Sequence, residues 1–511
     1  MSRECVPEKI KIYAVNLVVD TKNTDIYDKI KKFFCKDLYM KKISVLCQEF
    51  TYECLQGDVN KKVEAIVYDS RKVTKNSMFF CMVGAKFDGH EFCQEVVEKG
   101  ATALVVSKKV ENIPSDVTVI LVEDTRKALA FASSAWFDYP SRELTMIGLT
   151  GTKGKTTVTC LIKEILEKAG HKVGLIGTIE TVIGETHIPM ANTTPEPYIL
   201  HMYLRQMVDE GCDMAVMEVS SQGLMQARVE GIHFRIGAFT NIEKDHISPT
   251  EHKDFDDYFY WKKQLFYRTD IGIFNADDKR LSALTEENFP IEMKTVGIKD
   301  GVDYRAENIE KDFTDGKMGM RFTVPALSKE AVRVNTPGNF SVHNALIAMA
   351  VCDVLEVPLG AMKDALNTAV VKGRMEPVFL DGRFSFFIDY AHNAMALESL
   401  LKTVKEYATG RVICIFGCGG NRSKLRRYEM GEVAGRLADL TVITSDNPRF
   451  EEPQDIINDI KTGISKTTGN YVEIINRKDA IRYVIEHGEP GDIIVLAGKG
   501  HEDYQEIKGV K

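Results

Sequence analysis

The sequence lacks any apolar stretch of about 18 residues and any charged-then-apolar leader, so it predicts neither a membrane span nor a signal peptide. It also lacks an excess of basic residues, because 66 Lys and Arg stand against 74 Asp and Glu, for a formal net charge of −8. A nucleic-acid binder held by bulk charge is therefore excluded, whereas a single basic pocket could still bind a small anionic molecule.

Paired cysteines are missing as well. The eleven cysteines are scattered, without the C-x-x-C spacing typical of zinc sites or the density of a disulfide scaffold. We therefore expect reduced core cysteines and a cytoplasmic protein. With 511 residues, 44% of them hydrophobic, the chain is long enough for about three domains with sizeable cores.

The first 39 residues are rich in lysine and contain no recognisable catalytic motif. A compact domain is predicted to begin at Met40, a second methionine that directly precedes the partly apolar residues 41–46. We therefore interpret residues 1–39 as an N-terminal extension of unknown role, or as sequence read upstream of the true start codon.

A glycine-rich turn between a predicted strand and a predicted helix is the most informative feature of the chain. The apolar run 145–150 leads into Gly151-Thr-Lys-Gly-Lys-Thr-Thr157, and a helical pattern follows over residues 158–169. Backbone N–H groups and the positive helix end converge in such a turn, so it suits phosphate, with Lys155 reaching the terminal phosphates and Thr156 binding Mg²⁺. The spacing departs from the general P-loop, because Leu149 stands where a glycine is usual. The alternative is a glycine-rich turn before a surface helix.

From residue 63 onward, strand-like and helical patterns alternate, which predicts a small α/β domain. Two polar segments follow strands of this domain, namely Asp69-Ser70-Arg71 and the loop from Gly84 to His90. Ligands usually bind at loops that follow strands. On this pattern alone, a plain turn for the first segment and a solvated loop for the second are as good an interpretation as a ligand-binding site.

Three residues after the glycine-rich turn are candidates for a metal site. Glu218 ends an apolar strand pattern, where the acidic ligand of Mg²⁺ is usual beside a phosphate loop; the alternative is a solvated glutamate. His246 is either a second metal ligand or a histidine of the core. Lys262 lies among aromatic residues in a helical pattern, which by itself predicts a packed stem with the ammonium in water.

The segment that opens at Gly373 repeats the α/β alternation, and polar or glycine-rich sequences follow four of its predicted strands. These sequences are residues 389–392, 417–422, 445–449 and 498–502. In a parallel sheet such loops meet at one edge, so they line one crevice. Arg422 and Arg449 offer bidentate contacts to carboxylates, and Asp446 and Glu502 could hold an ammonium, which predicts an amino-acid pocket.

Eight motifs in one order resemble those of the Mur ligases of peptidoglycan synthesis, especially the members that add the third residue of the peptide. They are Gly151-Thr-Lys-Gly-Lys-Thr-Thr157, Asn192-Thr-Thr-Pro195, Glu218-Val-Ser-Ser221, Thr240-Asn241 through Asp245-His246, Gly373-Arg-Met-Glu376, Asp389-Tyr-Ala-His392, Asp446-Asn-Pro-Arg449 and Gly498-Lys-Gly-His-Glu502. The resemblance implies an α/β protein of three domains. These are a UDP-substrate-binding α/β domain at 40–124, a central ATP-binding domain with a mostly parallel sheet at 125–371, and a C-terminal Rossmann-like, amino-acid-binding domain at 372–511.

The resemblance also implies roles for individual residues. Lys262 is carbamylated in the family's pattern, which would let it bind Mg²⁺ together with Thr156, Glu218 and His246. The implied catalytic residues are Lys155, Glu218, His246 and Lys262. Nucleotide contacts fall on Gly151, Thr152, Lys153, Gly154, Lys155, Thr156, Thr157, Asn344, Arg374 and Asp389. Contacts to the UDP-linked muramoyl dipeptide fall on Ser70, Arg71, His90, Asn192, Thr193, Thr194, Ser220, Gln226 and Arg228. Contacts to the amino acid fall on Arg422, Asp446, Asn447, Pro448, Arg449, Gly498 and Glu502.

The activity that the resemblance implies is an ATP- and Mg²⁺-dependent ligation in cytoplasmic peptidoglycan precursor synthesis. It would join meso-diaminopimelate to the D-glutamate of UDP-N-acetylmuramoyl-L-alanyl-D-glutamate through an acyl phosphate. The arginine of Asp446-Asn-Pro-Arg449 favours diaminopimelate over L-lysine, because it fits a second carboxylate. We expect a monomer with no nucleic-acid partner and no membrane span.

Other functions stay open at this point. Ligation of L-lysine, or another ligation of the Mur or folylpolyglutamate type, would use the same phosphate loop. A non-catalytic, nucleotide-dependent scaffold would be expected to lose Lys155, Glu218 or Lys262, and all three are present.

Overall fold

The computed structural model describes residues 40–84, 87–248, 251–314, 317–378 and 382–510. The predicted extension 1–39 and residues 85–86 of the predicted loop from Gly84 to His90 lie outside this set. The described chain forms two compact units. The first comprises residues up to Lys153 with His171–Gly272 and Glu287–Met293, and the second comprises Gly154–Gly170, Ile273–Glu286 and the chain from Lys294 onward.

The first unit begins with a five-stranded sheet and a short strand pair. Its strands are β1 Lys41–Lys42, β2 Glu53–Gln56, β3 Lys62–Val63, β4 Ala65–Val67, β5 Ser77–Phe80, β6 Ala101–Val106 and β7 Thr118–Leu121. The sheet order is β2-β7-β6-β5-β4, with β2 antiparallel to β7 and the other four strands parallel. Helices Ile43–Leu46 and Cys93–Glu98 accompany it. All four side chains of β5 are buried, as expected for a parallel strand covered on both faces.

The helix Thr125–Trp136 belongs to the core of this first sheet. Asp124 caps it by accepting hydrogen bonds from the backbone N–H groups of Arg126 and Lys127. Its small apolar side chains pack with Leu46 of the short helix Ile43–Leu46 and with buried residues of the sheet. We therefore propose that the first domain ends after this helix rather than at residue 124, because the helix is buried against the first sheet.

The first unit continues with a second sheet. Its strands are β8 Thr145–Thr150, β9 Val173–Ile176, β10 Glu180–Ile183, β11 Thr186–Pro189, β12 Met214–Glu218, β13 Phe234–Phe239 and β14 Thr269–Asn275, of which the last belongs to the first unit only as far as Gly272. They lie in the order β11-β10-β9-β12-β8-β13-β14, and β9, β12, β8 and β13 are parallel. Helices Pro197–Asp209, Ser221–Met225 and Phe255–Lys263 connect the strands. The antiparallel β10–β11 hairpin is not among the elements predicted from the sequence.

The second unit contains the helix that follows the glycine-rich turn, Lys155–Lys168, packed against helices Asn339–Val354 and Leu359–Thr368. Strands β15 Glu292–Gly297 and β16 Tyr304–Arg305 pair in parallel between residues 296–297 and 304–305. A three-stranded antiparallel sheet follows, in the order β17 Glu307–Thr314, β18 Lys317–Val324 and β19 Ser328–Val334. The sequence analysis did not predict this sheet.

The C-terminal part of the second unit carries the α/β alternation that the sequence predicts. Strands β20 Glu376–Val378, β21 Ser385–Ile388, β22 Val412–Phe416, β23 Leu440–Ile443, β24 Tyr471–Glu473 and β25 Ile493–Leu496 lie in the order β20-β21-β25-β22-β23-β24. All but β20 are parallel to their neighbours. Helices Ala394–Lys405, Lys424–Leu437, Pro453–Ile464 and Arg477–His487 complete it. The predicted α/β class with mostly parallel sheets is confirmed. Among the described residues, no helix is long and apolar enough to cross a membrane.

Two helices of this C-terminal sheet approach each other closely at glycines. A Cβ on Gly431 would lie 2.1 Å from the carbonyl oxygen of Ile460, and a Cβ on Gly463 would lie 1.9 Å from that of Tyr428. The two helices follow the loops 417–422 and 445–449, so the distance between the helices sets the positions at which these loops end.

Replacing Gly431 with alanine should destabilise the second unit by about 2 to 3 kcal/mol, because the new methyl group must displace the backbone of the facing helix. Gly360→Ala is the matched control, since Gly360 is also helical and a Cβ there meets no atom within 4 Å. We expect it to be neutral or to stabilise by up to about 1 kcal/mol. Urea denaturation measures both variants, and equal effects would contradict the close-packing argument.

Candidate nucleotide and substrate sites

The first half of the glycine-rich loop is built on the ends of β8 and β13. Gly151 has φ +145°, and a Cβ there would lie 1.9 Å from Oγ1 of Thr240, so the position requires glycine. The Thr240 hydroxyl donates to the carbonyl of Lys153 at 2.5 Å, and Asn241 both accepts from the Lys153 N–H at 2.9 Å and donates to its carbonyl at 3.0 Å. The loop shape is therefore imposed by the adjacent strand end.

The second half of the loop opens a helix in the second unit. Gly154 has φ +82° and precedes Lys155, where the helix begins; Thr156 is buried and Thr157 half-buried in its first turn. This first turn contains no acidic residue of its own, which suits a helix end that is to bind an anion. A Cβ on Gly154 would lie 2.6 Å from Oδ1 of Asn344, so the structure brings the predicted Asn344 against this half of the loop.

Lys262 lies inside the first unit rather than in water. Its residue is 2% exposed, and its Nζ donates to the carbonyl of Gly151 at 2.7 Å and lies 4.7 Å from the ring centre of Tyr258. The interpretation of an ammonium in water was wrong, because the Phe255–Lys263 helix turns this residue toward the loop. Burial raises the pKa of the Tyr258 hydroxyl, which lies 3.2 Å from Oγ1 of Thr152. The Lys262 amine is therefore in contact with the loop itself.

Glu218 ends β12 directly beside the end of β8, with its Cα paired to that of Leu149. The residue is 1% exposed, so it is not a solvated glutamate. Thr178 binds both oxygens of the carboxylate, through its N–H to Oε1 at 2.8 Å and its hydroxyl to Oε2 at 3.0 Å. Thr178 could not be predicted from the sequence, because only the fold brings the residues after β9 to the end of β12. A Cβ on Gly177 would lie 2.8 Å from Oε1.

His246 is half exposed, so the interpretation of a core histidine was wrong. Its Nδ1 lies 2.8 Å from Oε1 of Glu251, and the same oxygen accepts from Gln222 at 3.2 Å. A histidine that is buried in this segment is His252, which contacts Asp257 through Nδ1 at 3.0 Å and the Ser221 hydroxyl through Nε2 at 2.9 Å. No sequence pattern distinguished it.

The unmodified side chains of the described residues do not form a metal-binding cluster. No group of three or more His, Cys, Asp and Glu side chains there could hold a metal ion. An ammonium at Lys262 repels a cation, whereas a carbamate at the same nitrogen would supply oxygen ligands of the kind that Mg²⁺ prefers. Glu218 and a carbamylated Lys262 therefore fit Mg²⁺, and the unmodified lysine does not.

Five of the residues predicted to contact the UDP-linked dipeptide form one connected network around Thr194, which is fully buried; they are Thr193, Thr194, Ser220, Gln226 and Arg228. The Thr194 hydroxyl donates to the carbonyl of Glu218 at 3.0 Å and accepts from the N–H of Ser220 at 3.0 Å. Arg228 donates to the carbonyl of Thr194 at 2.7 Å and to Gln226 at 2.8 Å. It also pairs with a carboxylate that the sequence analysis did not identify, that of Glu196, at 2.6 Å. Thr193 joins the network through Thr178 at 3.0 Å, and Asn192 is exposed.

The residues predicted for a uridine-diphosphate pocket lie at one edge of the first sheet, because β4 and β5 are parallel neighbours. Ser70 and Arg71 follow β4 in a short 3₁₀ helix, and the largely exposed Arg71 side chain pairs with Asp69 at 2.7 Å. His90 is buried: its Nδ1 lies 2.5 Å from Asp88, and its Nε2 accepts from the Ser107 N–H at 3.0 Å. His90 therefore stabilises the loop after β5, while Arg71 remains accessible.

Asp389 follows β21 in the second unit. Its two carboxylate oxygens accept from the N–H groups of Met375 at 2.9 Å and Ala391 at 2.8 Å. Burial raises the pKa of the Asp389 carboxyl, and the charge of Arg374 opposes that rise. The Arg374 guanidinium lies 4.5 Å from the ring centre of Tyr390. The structure thus brings Arg374 and Asp389 together, as predicted.

The amino-acid loops also converge, because β25, β22 and β23 are adjacent parallel strands. Asn447 donates to Glu502 at 3.0 Å, and Lys499 contacts both residues, at 3.0 and 3.1 Å. Lys499 also lies 3.2 Å from Oδ1 of Asp446. A Cβ on Gly498 would lie 3.2 Å from the other oxygen of Asp446. Sequence reasoning gave Lys499 no role, although it stands inside a motif that the analysis identified.

Arg449 is held by two neighbours. Its Nε donates to Glu506 at 3.0 Å and its Nη1 to the carbonyl of Gly420 at 2.8 Å. Gly420 also packs tightly on Pro448, since a Cβ there would lie 1.9 Å from the Pro448 carbonyl oxygen. Arg422 is exposed.

Arg427 is a further residue that sequence reasoning missed. It is 1% exposed and donates to Glu451 and Asp459 at 2.8 and 2.9 Å and to the carbonyl of Gly419 at 3.2 Å. Its hydrogen bonds lower the pKa of Glu451 to about 2. Glu451 in turn accepts from the N–H of Asn421. Arg427 therefore anchors the glycine-rich loop after β22 from inside the domain.

Three protein-family models match the chain. They are the Mur ligase family catalytic domain at residues 62–136, the Mur ligase middle domain at 149–352 and the Mur ligase glutamate ligase domain at 373–500. A protein of Clostridium perfringens (strain 13 / Type A) named UDP-N-acetylmuramoyl-L-alanyl-D-glutamate--2,6-diaminopimelate ligase is 41% identical over 469 residues, covering 91% of this chain and 95% of the relative. A protein of the same name from Caldanaerobacter subterraneus subsp. tengcongensis is 42% identical over 455 residues, covering 89% and 93%.

Two solved structures have a similar fold. A structure of UDP-N-acetylmuramoyl-L-alanyl-D-glutamate--2,6-diaminopimelate ligase has a TM-score of 0.67 and 27% identity, covering 92% of this chain and 96% of that one. Mycobacterium tuberculosis folylpolyglutamate synthase has a TM-score of 0.57 and 15% identity, covering 73% and 92%. At that identity the second likeness concerns the fold alone.

Thr178→Val should lower the free energy of unfolding of the first unit by about 1.5 to 3 kcal/mol, because the buried Glu218 carboxylate loses a hydroxyl donor. Thr181→Val is the matched control: Thr181 is a threonine of the same sheet region that is fully buried, whereas Thr178 is partly buried, and the Thr181 hydroxyl has no hydrogen-bond partner among the described residues. We expect the control to be neutral or slightly stabilising. Urea denaturation of the two variants distinguishes them, and an equal loss in both would contradict the role given to Thr178.

Proposed function

The chain belongs to the Mur ligase family, and we propose that it is an ATP-dependent ligase of peptidoglycan precursor synthesis. It joins meso-diaminopimelate to the D-glutamate of UDP-N-acetylmuramoyl-L-alanyl-D-glutamate. The observation that carries this proposal is the identity of 41 to 42% with relatives of that name over about nine-tenths of the chain. The motif Asp446-Asn-Pro-Arg449 beside Glu502 supports it.

The reaction has two steps. An oxygen of the D-glutamate carboxylate attacks the γ-phosphorus of ATP, so ADP leaves and an acyl phosphate forms. The amine of diaminopimelate then attacks the acyl carbon, and the amide forms as phosphate leaves and the nitrogen loses its proton. Lys155, the first residue of the helix, stabilises the charge on the transferring phosphoryl group. Thr194, Ser220 and Arg228 position the dipeptide through their shared network.

Mg²⁺ would be held by Glu218 and by Lys262 after carbamylation, and it would neutralise phosphate charge during phosphoryl transfer. Thr156 and His246 stay predictions as further ligands. ATP is the proposed co-substrate, with contacts from the glycine-rich loop, Asn344, Arg374 and Asp389.

We also propose that the UDP moiety binds at the loops that carry Ser70, Arg71 and His90. Diaminopimelate contacts Arg422, Arg449 and the residues around Glu502. A cytoplasmic location is proposed because both ATP and UDP-linked precursors are cytoplasmic substrates, and a monomer stays a prediction. The second candidate function is the same ligation with L-lysine. L-Lysine differs from diaminopimelate only in lacking the second carboxylate, which Arg449 is expected to bind.

If Lys262 is carbamylated, Lys262→Ala should lower kcat by a factor on the order of 10² to 10³, because an anionic ligand is lost from the phosphoryl-transfer site. Small carboxylates such as acetate should partly restore activity by occupying the space left. Lys262→Arg, which cannot form the carbamate, should stay inactive without rescue. A ¹³C signal from labelled bicarbonate in the wild type, absent in Lys262→Ala, tests the modification directly. Full activity of Lys262→Ala would refute it.

The proposed substrate predicts that ADP release in the presence of the UDP-dipeptide depends on meso-diaminopimelate. In steady-state assays with a panel of amino acids, we expect kcat/KM for diaminopimelate to exceed that for L-lysine by roughly 30-fold or more, because L-lysine lacks the second carboxylate that Arg449 is expected to bind. Arg449→Ala should erode this preference. A value for L-lysine equal to or above that for diaminopimelate would overturn the assignment.

A further inference from the structure

Lys499 is a buried cation among the amino-acid loops. The residue is 7% exposed, and its ammonium donates to Oδ1 of Asn447 at 3.0 Å and to Oε2 of Glu502 at 3.1 Å. It forms an ion pair with Asp446 at 3.2 Å, and the ring centre of Tyr504 lies 5.3 Å away. Two carboxylates and one amide therefore surround this ammonium, which donates hydrogen bonds to Asn447 and Glu502 and contacts Asp446 as an ion pair.

These are the carboxylates that were expected to hold the ammonium of an incoming amino acid. A second buried cation, Arg477, lies behind them and donates to the carbonyls of Ser445 and Ala497 at 3.4 and 3.1 Å. Burial lowers the pKa of Arg477, and the charges of Asp446 and Glu502 oppose that effect. The negative charge of this region is thus already compensated by groups of the protein.

The neighbouring arginine is compensated as well, since Arg449 pairs with Glu506 at 3.0 Å. The formal charges of these six side chains, the acidic Asp446, Glu502 and Glu506 and the basic Lys499, Arg477 and Arg449, therefore cancel one another. Such a cluster favours a ligand group that is also neutral overall. The distal end of diaminopimelate, with one ammonium and one carboxylate, is neutral, whereas the distal end of L-lysine is a bare cation.

We propose that Lys499 is a specificity-determining residue, which excludes L-lysine by compensating the two carboxylates that would otherwise attract its side-chain ammonium. The inference rests on the proposed function and on its assignment of Asp446, Asn447 and Glu502 to the amino-acid site. Lys499 also fixes the distance between the loops after β23 and β25, because it bridges Asp446 and Glu502. A lysine that only bridged the loops would affect both amino acids alike, so the two roles are separable.

The test compares the wild type with Lys499→Met and Lys499→Arg in steady-state assays with each amino acid. Lys499→Met leaves Asp446 and Glu502 uncompensated, so KM for L-lysine should fall while KM for diaminopimelate rises or stays constant. The ratio of kcat/KM for diaminopimelate to that for L-lysine should drop by about ten-fold or more. Lys499→Arg retains the charge and should retain the preference.

Lys466→Met is the matched control, because it removes a lysine of the same domain that is exposed and paired with Glu432 at 3.3 Å; we expect no change in either KM. Lys499→Gln, of similar shape but neutral, replaces the methionine variant if thermal unfolding shows that the latter does not fold. A parallel rise in both KM values, with the ratio unchanged, overturns the specificity role and leaves the proposed function standing. A wild type that does not prefer diaminopimelate overturns the proposed function, and this inference with it.

Discussion

The loop between β8 and the following helix depends on the absence of a side chain at Gly151. Its backbone has a positive φ, and its Cα lies so close to Thr240 that a Cβ would overlap the hydroxyl. This closeness lets Thr240 and Asn241 hold the backbone of Lys153, and it leaves the Gly151 carbonyl available to the amine of Lys262. The buried lysine, the strand end and the loop are therefore parts of one arrangement.

Buried charge in this protein is compensated by specific partners. Lys499 lies between Asp446 and Glu502, and Arg427 lies between Glu451 and Asp459. Removing one member of such a group leaves the other charge buried and unpaired, which is strongly unfavourable. The loops that carry these residues are thereby fixed to the domain interior. This suits a site that must hold an amino acid against an acyl phosphate while water is excluded.

Sequence reasoning identified the loops and missed several residues that connect them. Each predicted strand of the C-terminal sheet is present, and the parallel order brings the four expected loops to one edge. Thr178, His252 and Arg427 were missed because each acts through residues that are distant in the chain: Thr178 contacts Glu218, 40 residues away, and His252 contacts Ser221, 31 residues away. Long-range contacts of this kind leave no periodicity or local spacing to detect.

The sequence by itself determined the α/β class, the glycine-rich phosphate loop and the resemblance to the Mur ligases, because strand patterns, turn glycines and short motifs are local properties of the chain. The tertiary structure alone decided the environment of the charged residues. It buries Lys262 and Lys499, exposes His246, and assigns the helix Thr125–Trp136 to the core of the first sheet. Burial depends on what packs against a residue from elsewhere in the chain, and that information appears only when the strands are assembled.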